Sequence, residues 1–275
     1  MTYWDNLERH DGGACIDEIW LSHPLVRAEV NRRVSGDPKR WPTQWLREQI
    51  HETIANSVSI GCGTGAFERD VAGQHIVEKI TGIDLAPQPL ARARELAAPF
   101  GSRISYEQAD AFEFLRGKTF DAIFFHQSLH HVQQLEDLLA GVHEWLKPDG
   151  LLYLNEYIGP SRTTWSDDLI APHRAIFDSL PAETKATPDL PLPIQADDPS
   201  EAVRSDEIVT VLQEHFEIEA FRGYGGNLLS VLFPNLRREA LTAELVDTLI
   251  GLDEAMTATD ASPYYAVMVA RPIPR

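Results

Sequence analysis

The sequence predicts an α/β fold built on a mostly parallel sheet with helices on both faces. Three observations carry that prediction. Strand-like and helix-like segments alternate from about Ser57 to Tyr157, as parallel strands joined by crossover helices require. The β-branched run Val58-Ser59-Ile60 feeds a glycine loop, Gly61-Cys62-Gly63-Thr64-Gly65, and a helical segment follows. Glycine lets a backbone turn sharply and approach a ligand closely. Asp84, Asp110 and His126 stand at or just beyond the ends of the next strands. Ligands of open parallel sheets bind outside the carboxyl ends of the strands, so the loop, both acids and the histidine converge on one crevice.

The elements follow in order. Residues 1–56 hold Trp20, Leu21, Pro24, Leu25, Val30, Trp41, Trp45, Leu46 and Ile50. These predict two or more helices that act as a lid or as an oligomerisation segment of a homo-oligomer. The cofactor-binding core spans 57–158. Its strands read as Ser57–Ile60, Ile80–Asp84, Ile104–Gln108, Asp121–Phe125 and Leu151–Glu156. Its helices read as Ala66–Ala72, Pro87–Ala98, Ala111–Leu115 and Leu135–Leu146. Pro87 suits a first helical turn. Leu135, Leu138, Leu139, Val142, Trp145 and Leu146 form a helical apolar stripe. Pro148-Asp149-Gly150 reads as a turn into the fifth strand. Residues 159–204 are rich in proline (Pro181, Pro188, Pro191, Pro193, Pro199), which favours an ordered but irregular insertion or cap. The remainder, 205–275, completes the sheet. It reads as a helix over Ser205–His215 with Ser205 as N-cap, a strand over Ile218–Tyr224, a helical stretch over 234–256 inside an insertion at 225–262, and a last strand over Tyr264–Ala270.

Composition narrows the function. With 275 residues and 43% apolar content, the chain can form one large domain with accessory parts. Its 24 basic and 42 acidic residues leave a net charge of −18, which repels polyanions, so no nucleic-acid partner is expected. Apolar runs are short and broken by charge and proline, so no membrane partner is expected either. Met1-Thr2-Tyr3-Trp4-Asp5-Asn6 has no basic segment before an apolar one and does not read as a signal peptide. Cys15 and Cys62 form no disulfide framework, which suits a reducing, cytoplasmic setting.

The loop is G-x-G-x-G, which differs from the G-x-G-x-x-G of a dinucleotide site, and no G-K-[ST] is present to hold a triphosphate. An acid at the end of the second strand can accept hydrogen bonds from a ribose diol. A second acid, beyond the third strand, can accept from the exocyclic amine of an adenine. The ligand implied bears a nucleoside.

Five segments in this order resemble the core of class I S-adenosylmethionine-dependent methyltransferases: Ile60-Gly61-Cys62-Gly63-Thr64-Gly65, Gly82-Ile83-Asp84-Leu85, Ala109-Asp110-Ala111, Ser128-Leu129-His130-His131-Val132 and Leu146-Lys147-Pro148-Asp149-Gly150. The resemblance implies a Rossmann-like, seven-stranded sheet whose last strand is antiparallel. It implies S-adenosyl-L-methionine as cofactor and S-adenosyl-L-homocysteine as product. Carried over by position, Gly61, Gly63 and Gly65, with Cys62 between them, would cradle the methionine part. Asp84, followed by Leu85, would hold the ribose hydroxyls. Asp110 and Ala111 would meet the adenine, and His126 would lie beside the methionine amino group or the sulfonium. The flanks 156–162 and 199–205 resemble a bacterial small-molecule branch whose members often serve natural-product pathways.

The implied reaction is in-line displacement of a methyl group from a sulfonium, so alignment and exclusion of water are the protein's tasks. No metal is expected, since the fourth strand ends in His126-Gln127 without a carboxylate cluster. Where a base is needed, the candidates are His126, Glu156 and His131, with His130 and His173 beside them. The His130-His131 pair belongs to the resembling family pattern and is read first as shaping the loop after the fourth strand. Tyr3, Trp4 and Trp20 are read as a lid, or as packing on the sheet, and Tyr157 and His173 as substrate-side residues. Trp165, Ile170, Phe177, Leu228, Leu229, Leu232 and Phe233 in the accessory parts favour a small, largely apolar substrate, with carbon among the acceptor atoms considered. A second reading couples C-methylation to cation rearrangement or cyclisation. A third makes the chain a non-catalytic scaffold of methyltransferase fold, against which the intact loop, Asp84 and Asp110 argue. A nicotinamide-dependent oxidoreductase loses on glycine spacing.

Overall fold

The computed structural model describes residues 20–274. Seven strands form one sheet in the order β3-β2-β1-β4-β5-β7-β6: β1 (Ile54–Ile60), β2 (Val77–Asp84), β3 (Ile104–Gln108), β4 (Phe120–His126), β5 (Leu146–Tyr157), β6 (Phe216–Gly225) and β7 (Tyr265–Pro272). The pairings from β3 through β5 are parallel, and β7 runs antiparallel to both β5 and β6. The mostly parallel sheet with an antiparallel last strand is therefore observed. The order reverses at β1, beside β4, and that is the switch point where the glycine loop leaves the sheet.

Alternation along the strands divides the core into two layers. Ala122 and Phe124 of β4 and Tyr153 of β5 point to one face. Ile123, Phe125, Leu152 and Leu154 point to the other. The first face is covered by α1 (Pro24–Ser35), α2 (Pro42–Gln49), α3 (Ala66–Gly73) and α4 (Pro87–Ala97). The second is covered by α5 (Ala111–Leu115), α6 (Leu135–Trp145) and α8 (Ile208–His215). Helix α6 buries the predicted stripe of Leu135, Leu138, Leu139, Val142 and Trp145. Each such side chain, moved fully out of water, contributes roughly 1.5–3 kcal/mol.

The N-terminal helices spend their apolar side chains on their own sheet. Val26, Val30 and Val34 of α1 and Trp45 and Leu46 of α2 join the first-face core. Arg33 of α1 reaches the buried Asp253 of α10 (Ala243–Asp260) at 2.9 Å. Asp253 also accepts the N–H groups of Gly226, Leu228 and Leu229, tying α10 to the turn after β6.

Four local expectations are corrected. Lys147-Pro148-Asp149-Gly150 does not form a separate turn before the strand. It is a bulge inside β5, since Phe120 pairs with Leu146 and Ala122 with Leu151. Residues 159–204 are only partly irregular: α7 (Asp167–Ser179) tolerates Pro172 inside it, with Ser166 capping its N-terminus through Leu169 N–H. Ser205 does not cap α8. Its hydroxyl donates to the Gly159 carbonyl, and a 3₁₀ turn over Ser205–Glu207 precedes the helix. The stretch from 234 begins as 3₁₀ turns, and α10 starts only at Ala243, where Thr242 is the N-cap. A four-residue helix, α9 (Leu229–Leu232), lies between β6 and α10.

Candidate active site

The crevice is built from the carboxyl ends of β1, β2, β3 and β4. Gly61 and Cys62 turn away from the sheet with their N–H groups on the Ile83 carbonyl, at 2.8 and 3.1 Å. Gly65 closes the loop by donating to the Cys62 carbonyl, and it sits at φ +75° as the residue before α3. A Cβ there would lie 2.1 Å from the Tyr106 hydroxyl, so a left-handed backbone and a close approach both demand glycine. Gly63, at φ +51°, is the opposite case: a Cβ there would meet nothing within 4 Å. That side of the loop faces open space, where a ligand can approach the backbone.

Asp84 binds the loop directly. One carboxylate oxygen accepts the Gly63 N–H at 2.8 Å and the other accepts the Ala86 N–H at 2.9 Å. Each oxygen keeps a further acceptor direction for a hydroxyl pair. Leu85 follows with 68% of its surface exposed, an apolar side chain at the mouth of the crevice. The Ala109 N–H donates to the Asp84 carbonyl, which brings the third strand end to the second. Asp110 serves as N-cap of α5: Oδ1 accepts Phe112 N–H at 2.9 Å and Glu113 N–H at 3.2 Å, and Ala111 opens the helix. The structure thus brings Gly61, Cys62, Gly63, Gly65, Asp84, Leu85, Asp110 and Ala111 to one edge.

His126 closes the opposite wall. Its ring stacks on Phe67 of α3 at 5.0 Å, and Nε2 lies 3.4 Å from Asn155 Nδ2. Asn155 in turn accepts the Tyr224 hydroxyl at 2.7 Å. Burial lowers the His126 pKa, so the imidazole is neutral at pH 7. Gln127 then takes φ +56°, and the chain swings its side chain to the Asn155 carbonyl at 3.0 Å. A non-glycine residue held in this region marks a local constraint at the site.

Glu156 has a different place from the one its position suggested. It is wholly buried, and both its oxygens are occupied. Oε1 accepts the N–H groups of Ser128 and Leu129 at 2.8 and 2.9 Å, and Oε2 lies 2.7 Å from His130 Nδ1. Burial alone would raise this carboxyl, but His130 and the two N–H donors hold it below the usual range. Glu156 latches the loop after β4. His131, on the same loop, is pushed down to about 4 by burial and by His130.

The lid candidates separate. Tyr3 and Trp4 lie outside the described residues. Trp20 is buried, with its ring 5.3 Å from Tyr265 and 6.3 Å from Tyr224. Tyr157 joins the same aromatic group, 5.1 Å from Tyr265, and its hydroxyl donates to the Pro160 carbonyl. His173 is not at the crevice. It is buried in α7 against Trp165, with Nε2 2.8 Å from the Asn227 carbonyl. The thiol of Cys62 is pushed up by burial, then by Glu68 and Asp84, which makes it a filler of the loop and a poor nucleophile.

Several contributors were given no role of their own in the sequence reading. Ser128 donates to the Ile60 carbonyl at 2.7 Å and packs over Gly61. Arg69 donates to the Thr64 carbonyl at 2.6 Å. Glu68, on α3 behind the loop, is wholly buried, and burial raises its pKa to about 7 against the opposing pull of Ser59. The position of Glu68 one turn into the helix was readable, but its burial was not.

Comparison with known proteins shows what the crevice region is similar to. Residues 58–154 match the profile of a methyltransferase domain. The ubiquinone biosynthesis O-methyltransferase of Pasteurella multocida (strain Pm70) is 31% identical over 123 residues, covering 40% of this chain and 50% of that protein. Phosphoethanolamine N-methyltransferase 3 of Arabidopsis thaliana is 28% identical over 111 residues, covering 40% of this chain and 22% of that protein. The chain spans about half the length of the first curated relatives it matches. Among solved structures, the N-methyltransferase NodS of Bradyrhizobium japonicum WM9 in complex with S-adenosyl-L-homocysteine shares the fold. Its TM-score is 0.51 at 15% identity, with 99% of this chain and 98% of that one covered. The sheet order, the glycine loop held by Asp84 and the matched profile agree: residues 58–154 are similar to a methyltransferase domain.

Proposed function

We propose that the chain binds S-adenosyl-L-methionine in the crevice and transfers its methyl group to a small, largely apolar metabolite, with oxygen as the acceptor atom. The observation that carries the reading is Asp84, fixed between the Gly63 and Ala86 N–H groups beside the open side of Gly63. When bound, the cofactor supplies a methyl group already activated on a sulfonium. The residues of this chain bind, orient and exclude water. Asp84 accepts the ribose hydroxyls, the exposed Leu85 covers an apolar ring face, and the open side of Gly63 admits the amino-acid end. Phe67 and Asn155 set the plane of His126.

An apolar acceptor is supported by the buried rings of Trp20, Tyr157, Tyr224 and Tyr265, which pack beyond β4 and β5. Oxygen is supported by the first relatives, whose names make them O-methyltransferases. His126, neutral at pH 7, takes the acceptor proton where one must leave. Glu156 and His131 act by shaping the loop on which the acceptor rests. The resemblance of the flanks favours a metabolite of the natural-product kind, and the free Cys62 thiol fits a reducing compartment such as the cytoplasm. Among the described residues no helix is long and apolar enough to cross a membrane. The same aromatic group favours C-methylation with a cationic intermediate as the second reading, since ring faces stabilise cations.

Two measurements test the proposal. Titration calorimetry with S-adenosyl-L-homocysteine should give one site per chain. Incubation of phenolic, amine and carbon-acid acceptors with methyl-labelled cofactor should give a methyl ether, identified by NMR. Absence of cofactor binding overturns the reading, and a new carbon–methyl bond replaces it with the second one.

A further inference from the structure

A histidine–carboxylate cluster lies beyond the end of β4, where the irregular segment after α7 returns to the loop at 128–131. His130 and His131 meet Glu201 there, with one potential ligand atom from each lying within 4.8 Å of the others. The contacts have an order. His130 Nε2 stands 3.7 Å from Glu201 Oε1, and His131 Nε2 stands 3.7 Å from Glu201 Oε2. These separations are too long for hydrogen bonds. They are close to those of atoms that share one ion: ligands about 2.0–2.2 Å from a tetrahedral zinc stand roughly 3.4 Å apart.

The far side of each imidazole is also arranged. His130 Nδ1 faces Glu156 Oε2 at 2.7 Å. His131 Nδ1 faces Ser200 Oγ at 3.3 Å and Asp198 Oδ2 at 3.8 Å. Metal-binding histidines almost always give their second nitrogen to a carboxylate or similar acceptor, which fixes the tautomer and leaves the other nitrogen for the metal. Here His130 shows that arrangement with Glu156, and His131 shows it with the Ser200 hydroxyl, which itself donates to Asp198. An independent observation points the same way. Asp198 is 2% exposed, Oδ1 accepts both the N–H and the hydroxyl of Ser200, and Oδ2 has no hydrogen-bond partner while aimed at His131.

We propose that His130 Nε2, His131 Nε2 and Glu201 bind one divalent transition metal of the zinc class, with Asp198 and Glu156 orienting the imidazoles. Three protein ligands leave a fourth position for water or a substrate oxygen. The expectation that no metal is needed rested on the end of β4, and this cluster lies just past it. The ion would clamp the segment carrying Asp198 and Glu201 to the loop that carries the acceptor side of the crevice. The Val203 N–H bond to the His130 carbonyl and the Ser200–His131 contact already join the two. Metal binding does not depend on the cofactor reading and is measured without it.

The test uses the full chain, stripped with a chelator and titrated with zinc chloride or cobalt chloride. One equivalent of zinc by calorimetry and visible cobalt bands typical of tetrahedral coordination are expected. Glu201→Gln, a change at a 24% exposed side chain, should weaken binding at least about tenfold with the far-ultraviolet circular dichroism unchanged, and Asp198→Asn should weaken it about 10–100-fold. His143→Ala, which alters the unrelated His143–His215 pair, should leave it intact. The proposal is overturned if the wild-type chain takes up no zinc, if Glu201→Gln binds it equally, or if cobalt shows only octahedral bands.

Discussion

At the residue scale, Asp84 joins the loop to the ligand side of the crevice. Its two oxygens each take one backbone N–H, from residues on either side of the strand end. Replacing it with alanine removes the acceptor of Gly63 and, in the proposed binding mode, the acceptor of a ribose hydroxyl in one step. A hydrogen bond to a charged group contributes about 1.5–3 kcal/mol. The dissociation constant for S-adenosyl-L-homocysteine in Asp84→Ala should therefore rise roughly 10–150-fold by calorimetry. Asp84→Asn keeps the shape and one acceptor, and should fall between the two. Unchanged affinity in the alanine variant would remove Asp84 from the binding site. The identity of this residue was legible because a strand end fixes where a side chain goes. The partner of Gly65 was not, since Tyr106 sits on β3, forty-one positions away in sequence, and meets the loop only through the register of β2 with β3.

At the element scale, the loop after β4 depends on β5. Glu156 is fully buried and carries Ser128, Leu129 and His130. Position alone made it a candidate base, because strand ends face the ligand. Hydrogen-bond accounting gives it another role, because it is fully buried and already engages three buried donors. Removing one partner of a buried, paired charge costs about 3–5 kcal/mol. Glu156→Ala should lower the melting temperature by roughly 6–20 °C for a chain of this size. A catalytic base would behave differently: its loss would cut kcat while the melting temperature stayed level. The strands and helices of the core were legible because period-2 and period-3.6 patterns repeat over several turns. The bulge at Lys147-Pro148-Asp149-Gly150 was not, since a turn and a bulge use the same residues and only the pairing of Leu146 with Phe120 separates them. Helix α7 was hidden by Pro172, which falls inside it.

At the scale of the whole molecule, charge and pH act through Glu68. The chain carries −18 overall, yet Glu68 lies wholly buried behind the glycine loop, where burial raises its pKa from 4.5 to about 7 and the Asp84 charge adds to the effect. The direction of the linkage follows from proton counts. Below pH 4.5 the carboxyl is protonated in both folded and unfolded chains and has no effect on their balance. Between about 4.5 and 7 the unfolded chain has lost the proton and the folded chain still holds it, so stability falls as pH rises. Above about 7 both are ionised and the full cost remains, up to about 3 kcal/mol. Self-repulsion of the acidic surface also grows with pH and would blur the effect in the wild-type chain alone. Glu68→Gln isolates it, because the amide keeps the shape without titrating. The melting temperature of Glu68→Gln relative to wild type should therefore increase from pH 5 to pH 8 and level off above that. If the two curves run parallel across the range, Glu68 keeps one protonation state throughout. In that case the loop, and the cofactor affinity set by Asp84 in front of it, would be independent of this carboxyl over the same range.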